Sequence, residues 1–236
     1  MVTAICKEVC VNINSVTIII PTLNEGKNIE KIISKLRSLG YTNILIIDGK
    51  SNDETVNVAK EMGANVIIQE GIGKGDALRQ ALRYDGLSDL IIIMDADGSM
   101  DPNEIPAFLS PLETGEADIT KGSRFLGHGF SEDMTLLRRF GNSVFVFLVN
   151  NFFSTNYTDL CYGFAAFKKE AIMKLLPSLK SKKFEIETEI FVKARKMGLQ
   201  IVEVPSVEYK RMNGRSNLKT FRDGFKILGL ILQEAL

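Results

Sequence analysis

The sequence predicts an α/β protein: a single domain on a mostly parallel, twisted sheet flanked by helices. Three observations carry that expectation. From Val16 onward, short apolar runs alternate with stretches whose apolar residues recur at helical spacing, the pattern of successive βα units. The run Leu90-Ile91-Ile92-Ile93-Met94 shows no polar alternation, as expected of a strand buried on both faces. Finally, Asp48, Asp95 and Asp97 stand at the carboxyl ends of such runs, the sheet edge where α/β proteins bind ligands.

Composition narrows the classes. A chain of 236 residues with 45% hydrophobic content can build one well-filled core. Lys+Arg and Asp+Glu balance at 29 each, so no net field draws in nucleic acid. Cys6, Cys10 and Cys161 are odd in number and lack C-x-x-C spacing, which favours reduced thiols in a cytosolic setting over a disulfide or zinc framework. A single His128, expected in a solvated loop, removes mechanisms that need an imidazole beside a nucleophile or several histidine ligands. Residues 1–15 read as a leader, not a signal peptide, because Lys7, Glu8 and Asn12 interrupt any apolar core. No run approaches the roughly 18 apolar residues of a membrane-spanning helix.

Taken in order, Val16 to Ile20 form the first strand, closed by Pro21. Asn24 is placed to cap a helix carrying Ile29, Ile32, Ile33 and Leu36, which Gly40 stops. Ile44 to Ile47 make the second strand and end in Asp48. That carboxylate reads either as a ribose ligand, as in dinucleotide folds, or as a helix-entry cap with Ser51 or Asp53. Val56, Ala59 and Met62 mark a short helix ending at Gly63, and Asn65 to Gln69 a third strand. Gly71, Gly73 and Gly75 surround Lys74 ahead of a helix with Ala77, Leu78, Ala81 and Leu82. Their spacing fits neither the P-loop nor the dinucleotide fingerprint, so an anion cradle and a plain turn both stand. The fourth strand then runs into Asp95-Ala96-Asp97-Gly98-Ser99. This is either a polar turn or a set of hard oxygen ligands for a divalent cation facing a diphosphate.

Further along, Phe184 to Ile190 precede a helix with Val192, Ala194 and Met197 that stops at Gly198. Val144 to Val149 with Phe152-Phe153 form one aromatic-rich apolar segment. Phe221, Phe225, Leu228 and Leu232, widened by Ile227, Leu230 and Ile231, form another. Both are too short to span a membrane. They suit an interfacial helix or acceptor groove, and equally helices packed on the sheet.

The ordered set of segments is more specific than any one of them. Ile-Ile-Ile-Pro21-Thr22-Leu-Asn24-Glu25, Ile-Ile-Asp48-Gly-Lys-Ser51-Asn-Asp53, Gly73-Lys74-Gly75 and Asp95-Ala96-Asp97-Gly resemble family 2 glycosyltransferases. Gly122-Ser123-Arg124-Phe125, Leu137-Arg138-Arg139-Phe-Gly141-Asn142, Thr158-Asp159-Leu-Cys-Tyr-Gly163-Phe164, Glu203-Val-Pro205 and Arg211-Met-Asn-Gly214-Arg215-Ser216-Asn217-Leu218 are similar to the dolichol-phosphate mannose synthase and polyprenyl-phosphate hexosyltransferase branch. The resemblance implies a GT-A fold over residues 16–216, with 217–236 as an amphipathic, interfacial C-terminal helix. It implies a sugar nucleotide bordered by Pro21, Thr22, Asn24, Glu25, Asp48, Ser51, Lys74, Asp95, Ala96 and Asp97. Mg²⁺ or Mn²⁺ would be held by Asp95, Asp97 and Ser99, and an acceptor phosphate by Arg124, Arg138, Arg139, Arg211 and Arg215. Asp97 and Glu189 would be the catalytic carboxylates. Three positions depart from the family pattern: Gly49 and Ser99 replace an acid and a Gln, and Asn217 replaces a Lys.

The implied donor is GDP-mannose first and a UDP-sugar second. The acceptor is dolichyl or polyprenyl phosphate, or else a non-lipid, met at the cytosolic face of a membrane by peripheral contact. A catalytically silent sugar-nucleotide-binding module is the reading from a different class. A lipid phosphate is already ionised near neutral pH, so it needs cations to position it, and arginine's planar fork suits that role. The adjacent pair Arg138-Arg139 also reads as a solvated helix start. A hydroxyl acceptor would instead need a carboxylate base, for which Asp159, Glu187 and Glu189 are the candidates.

Overall fold

A computed structural model of the chain describes residues 13–214 and 218–236. The first half follows the predicted alternation: β1 (Val16–Thr22), α1 (Gly26–Ser38), β2 (Ile44–Asp48), α2 (Thr55–Glu61), β3 (Asn65–Ile68), α3 (Lys74–Ala81) and β4 (Leu90–Ile93). The second half runs α4 (Ile105–Glu113), β5 (Ile119–Ser123), β6 (Phe130–Ser131), α5 (Leu136–Phe153), β7 (Ala165–Lys168), α6 (Lys169–Leu175), α7 (Glu185–Lys196), β8 (Ile201–Pro205), β9 (Val207–Glu208) and α8 (Thr220–Ala235).

Among the described residues, seven strands form one sheet in the order β3-β2-β1-β4-β7-β5-β8, and β6 and β9 pair separately. The sheet is parallel except at β7, which runs antiparallel to both β4 and β5. Nothing in the apolar pattern announces that reversal, because a strand buried on both faces reads alike in either direction.

Two hydrophobic layers sandwich the sheet. Ile18 and Ile20 of β1 pack with Ile29, Ile33 and Leu36 of α1 and with Phe108 of α4. Ile19 and the β4 residues Ile91 and Ile93 face the other way, toward α3, α7 and α8. Ile18, Ile19 and Ile20 are fully buried, each contributing about 1.5–3 kcal/mol by leaving water. Truncating one to Ala would cost about 2–5 kcal/mol.

Two local expectations are corrected, and a third divides. Asn24 does not cap α1: its backbone is left-handed (φ 58°), Glu25 holds the N-cap position without a side-chain bond, and Asn24 Oδ1 accepts the Asn52 N–H instead. α7 begins at Glu185, so Phe184 to Ile190 span its start and first half and do not precede it. In α8, Ile227 and Ile231 are buried in the core while Phe221, Phe225 and Leu232 stay exposed, so the two apolar stripes have different fates. His128 is exposed in a loop, as expected. Among the described residues no helix is long and apolar enough to cross a membrane.

Candidate active site

Strand order reverses beside β1, with β2 and β3 on one side and β4 on the other, and a crevice opens at the carboxyl ends of these strands. It widens into a cavity of about 640 Å³ bounded by β1, the turns after β2 and β4, and the starts of α3, α5, α7 and α8.

Asp95 and Asp97 line its floor. The turn that presents them is fixed by Gly98, whose φ of 79° suits glycine, and by the Ser99 N–H donating to Asp97 Oδ1 at 3.0 Å. Asp97 Oδ2 lies 2.9 Å from Arg211 Nη2. Asp95 Oδ1 lies 2.6 Å from Lys74 Nζ, which sits equally close to Glu187 Oε1. Burial alone would lower the Lys74 pKa, but the Asp95 and Glu187 carboxylates outweigh it and hold the ammonium above its ordinary range. Burial pushes the Glu187 carboxyl up, against the opposing pull of Lys74.

The glycines around Lys74 act by close packing. A Cβ on Gly75 would lie 2.3 Å from the Ser181 carbonyl oxygen, and one on Gly73 2.5 Å from that of Lys182. The N–H groups of Gly75 and Asp76 both donate to the Lys182 oxygen, so these amides are engaged by a carbonyl. Of the two readings of this segment, the structure gives a turn that brings Lys74 against the acidic floor.

Asp48 is fully buried, and its carboxylate accepts from Thr22 Oγ1 (3.0 Å), Ser51 Oγ (2.6 Å) and the Ser51 N–H (2.8 Å). Ser51 Oγ in turn accepts the Asn24 N–H at 2.7 Å. Pro21, Thr22, Glu25 and Ala96 line the cavity, whereas Asp48, Asn24 and Ser51 brace the strand ends from behind it. Glu25 is tied to Arg211 Nη1 at 3.1 Å, and burial raises its pKa despite the Asn28 and Arg211 partners.

The arginines part company. Arg124 touches the cavity, but its guanidinium is buried in a bidentate pair with Asp159 (2.7 and 2.9 Å) and reaches Glu208 at 3.0 Å. Arg139 lies over the Phe125 ring, 5.6 Å from its centroid, away from the cavity. Arg138 lines the cavity and forms no ion pair among the described residues. Arg211 reaches it while holding Asp97 and Glu25. Arg215 and Asn217 lie outside the described residues.

Three further expected site residues stand elsewhere. Glu189 is buried, paired with Lys193 at 2.5 Å and accepting the Lys180 and Ser181 N–H groups, so it closes a turn behind α7. Residues two apart on a helix point in nearly opposite directions, and it is Glu187 that faces the cavity. Ser99 is buried and does not line the cavity; its carbonyl accepts the Tyr209 N–H. Asp159 is fixed by Arg124 and lies outside it too; burial alone would raise its pKa, but Arg124 holds it below the usual carboxylate range. Sequence reasoning missed Lys183, Lys219 and Arg222, which add cations to the rim. Lys219 and Arg222, one turn apart beside Phe221, carried a signal in that spacing; Lys183 carried none.

Residues 17–176 match the model of glycosyl transferase family 2. Glycosyltransferase AglJ of Haloferax volcanii is 35% identical over 216 residues, covering 89% of this chain and 69% of that protein. The UDP-N-acetylglucosamine–dolichyl-phosphate N-acetylglucosaminyltransferase of Methanococcus voltae is 28% identical, covering 93% of this chain and 97% of its own length. Among solved structures, glucosyl-3-phosphoglycerate synthase from Mycobacterium tuberculosis superimposes with a TM-score of 0.74 at 20% identity, over 93% of this chain and 79% of that one. The same enzyme in complex with Mn²⁺, UDP-glucose and phosphoglyceric acid gives 0.73. At that identity the likeness shows a shared fold.

Proposed function

The chain belongs to glycosyl transferase family 2, and from that premise we propose that it moves a hexosyl group from a sugar nucleotide to a dolichyl or polyprenyl phosphate, using Mg²⁺ or Mn²⁺. One observation carries the lipid acceptor. The cavity joins a charged floor, made by Asp95, Asp97, Lys74 and Arg211, to an apolar mouth formed by Leu137, Phe140 and Phe145 of α5 and Phe221, Phe225 and Leu228 of α8. A soluble sugar acceptor needs no such mouth.

The adjacent carboxylates of Asp95 and Asp97 are hard oxygen donors on the cavity floor, and with diphosphate oxygens and water they fit Mg²⁺ or Mn²⁺. The described residues contain no cluster of three or more ligating side chains, so the substrate would complete the shell. When bound, the cation would neutralise charge on the departing diphosphate. Pro21, Thr22 and Glu25 would border the nucleotide, with Asp48, Ser51 and Asn24 holding those strand ends in place. Lys74 would lie at the diphosphate, and Arg138 with Arg211 would grip the acceptor phosphate. An acceptor phosphate oxygen bonds to the anomeric carbon as the bond from that carbon to the diphosphate breaks, with inversion. That oxygen is already ionised, so no general base is required.

GDP-mannose is the donor to which the sequence resemblance points. The UDP-sugar named for the Methanococcus voltae relative and the UDP complexes of the structural neighbour support a uridine donor as a second reading. Exposed Phe140, Phe147, Phe221 and Phe225, beside Arg139 and Arg222, support peripheral contact with the cytosolic face of a membrane.

The test is transfer of labelled GDP-mannose, UDP-glucose and UDP-N-acetylglucosamine by purified protein to liposomes containing polyprenyl phosphate, with and without Mn²⁺. Label should pass into the lipid fraction from one of these donors, and only with the cation. Transfer to soluble sugars alone would overturn the acceptor. Binding without turnover of any donor would leave a silent binding module.

A further inference from the structure

Lys74 is the cation held closest to the floor, and it does not belong to Asp95 alone. Its side chain is only 8% exposed and bridges Asp95 and Glu187 at 2.6 Å each. The space for this bridge is built in: a Cβ on Gly163 would stand 2.6 Å from Lys74 Nζ and 2.7 Å from Glu187 Oε1. Gly73 and Gly75 press the start of α3 onto residues 181–183, just ahead of the helix that carries Glu187.

This arrangement sets a charge problem. A divalent cation on Asp95 removes one of the two partners of a buried ammonium and places like charge beside it. A buried ammonium without a partner is costly, so cation binding would be opposed unless a second carboxylate kept Lys74.

We propose that Glu187 is a positioning residue for the cation site, retaining Lys74 when a divalent cation takes Asp95, while Lys74 itself stands in for the cation until then. The proposal rests on the reading of Asp95 and Asp97 as cation ligands, and it gives the two partners opposite signs. Glu187→Gln should weaken Mn²⁺ binding, because the ammonium is left beside the ion without its anion. Lys74→Met should tighten binding of Mn²⁺ alone, because the internal competitor is gone.

The experiment is Mn²⁺ titration followed by electron paramagnetic resonance on the whole chain, with and without UDP, for wild type and both variants, with thermal unfolding as the check on folding. Glu187→Gln should weaken binding about tenfold, the equivalent of one charge-assisted hydrogen bond. Lys74→Met should shift it the other way in the absence of UDP. Gly163→Ala, which keeps every charge and intrudes only on the flexible ends of the pair, should also weaken Mn²⁺ binding, and it decides the matter if Glu187→Gln fails to fold. Wild-type Mn²⁺ affinity in Gly163→Ala and in folded Glu187→Gln would overturn the proposal. So would Lys74→Met weakening Mn²⁺ binding in the absence of UDP. If the wild type itself bound no Mn²⁺ even with UDP, the cation reading would fall first and the positioning role with it.

Discussion

Arg211 Nη2 lies 2.9 Å from Asp97 Oδ2, so a side chain from the far end of the chain holds the second carboxylate of the β4 turn. Both are only partly buried, and neither belongs to the hydrophobic core. Asp95→Asn and Asp97→Asn should therefore each abolish transfer while leaving the thermal midpoint nearly unchanged. The loss should reach ~3 kcal/mol or more of transition-state stabilisation, read as the fall in kcat/KM. Excess EDTA should reproduce it; normal turnover in EDTA would refute the cation's role.

The arginines should separate by readout. Arg138→Gln should raise the KM for polyprenyl phosphate roughly ten- to a hundredfold, since a charge-assisted contact is worth about 1.5–3 kcal/mol, with donor KM unchanged. Arg139→Gln, stacked on Phe125, should leave both constants alone. Equal effects from the two would argue against a phosphate grip by Arg138.

Stability on the acid side should depend on the Arg124–Asp159 pair. Asp159 titrates below the usual carboxylate range, because Arg124 overcomes the effect of burial. Its contribution is full above the unfolded value of about 4 and is lost as pH falls through the lower folded value. Asp159→Asn leaves the buried Arg124 guanidinium with Glu208 as its remaining carboxylate partner and should cost about 1.5–3 kcal/mol near neutral pH. Urea midpoints from pH 6 down to 3 should fall more steeply below about pH 4 in the wild type than in the variant.

Asp48→Asn should act through its neighbours. The carboxylate accepts three hydrogen bonds that hold Thr22 and the Ser51 turn, so the substitution should cost about 1–3 kcal/mol of stability. Donor KM should rise more than kcat falls, because Pro21 and Thr22 lose their support. A variant with wild-type donor KM would show that this brace does not reach the nucleotide.

Phe221→Ser and Phe225→Ser remove exposed side chains and should leave folding intact. Together they should lower binding to anionic liposomes by about tenfold or more, by the apolar area that no longer enters the interface. Unchanged flotation with vesicles would dismiss α8 as a contact surface.

The place of Asp95 and Asp97 was legible because an unbroken apolar run marks a strand buried on both faces, whose carboxyl end opens on the crevice of an α/β sheet, although Asp-Ala-Asp alone reads equally as a polar turn. α3 and its glycines were legible as a turn and helix, but the reason for the glycines lay in residues 181–183, more than a hundred positions away. Arginine as a residue type pointed to phosphate at four described positions. That Arg124 is taken up by an ion pair depended on Asp159 and Glu208, whose approach to it no spacing reveals. The resemblance pointed to Glu189, and only the register of α7 reveals that Glu187 is the carboxylate on the cavity side, since residues two apart on a helix lie on nearly opposite faces.

The antiparallel strand β7 also governs the order in which the chain can be completed during synthesis. Strands β1 to β4 can pair as they emerge, but the outer edge of β4 waits for Ala165–Lys168, which follow Ile93 by about 70 residues. At a ribosomal rate of about 5–20 residues per second, that edge stays open for roughly 4–14 s. Ile91 and Ile93 then belong to an uncovered apolar strand, the kind that recruits another chain. Fragments ending before Ala165 should therefore self-associate, whereas those extending through α6 have the means to close the edge.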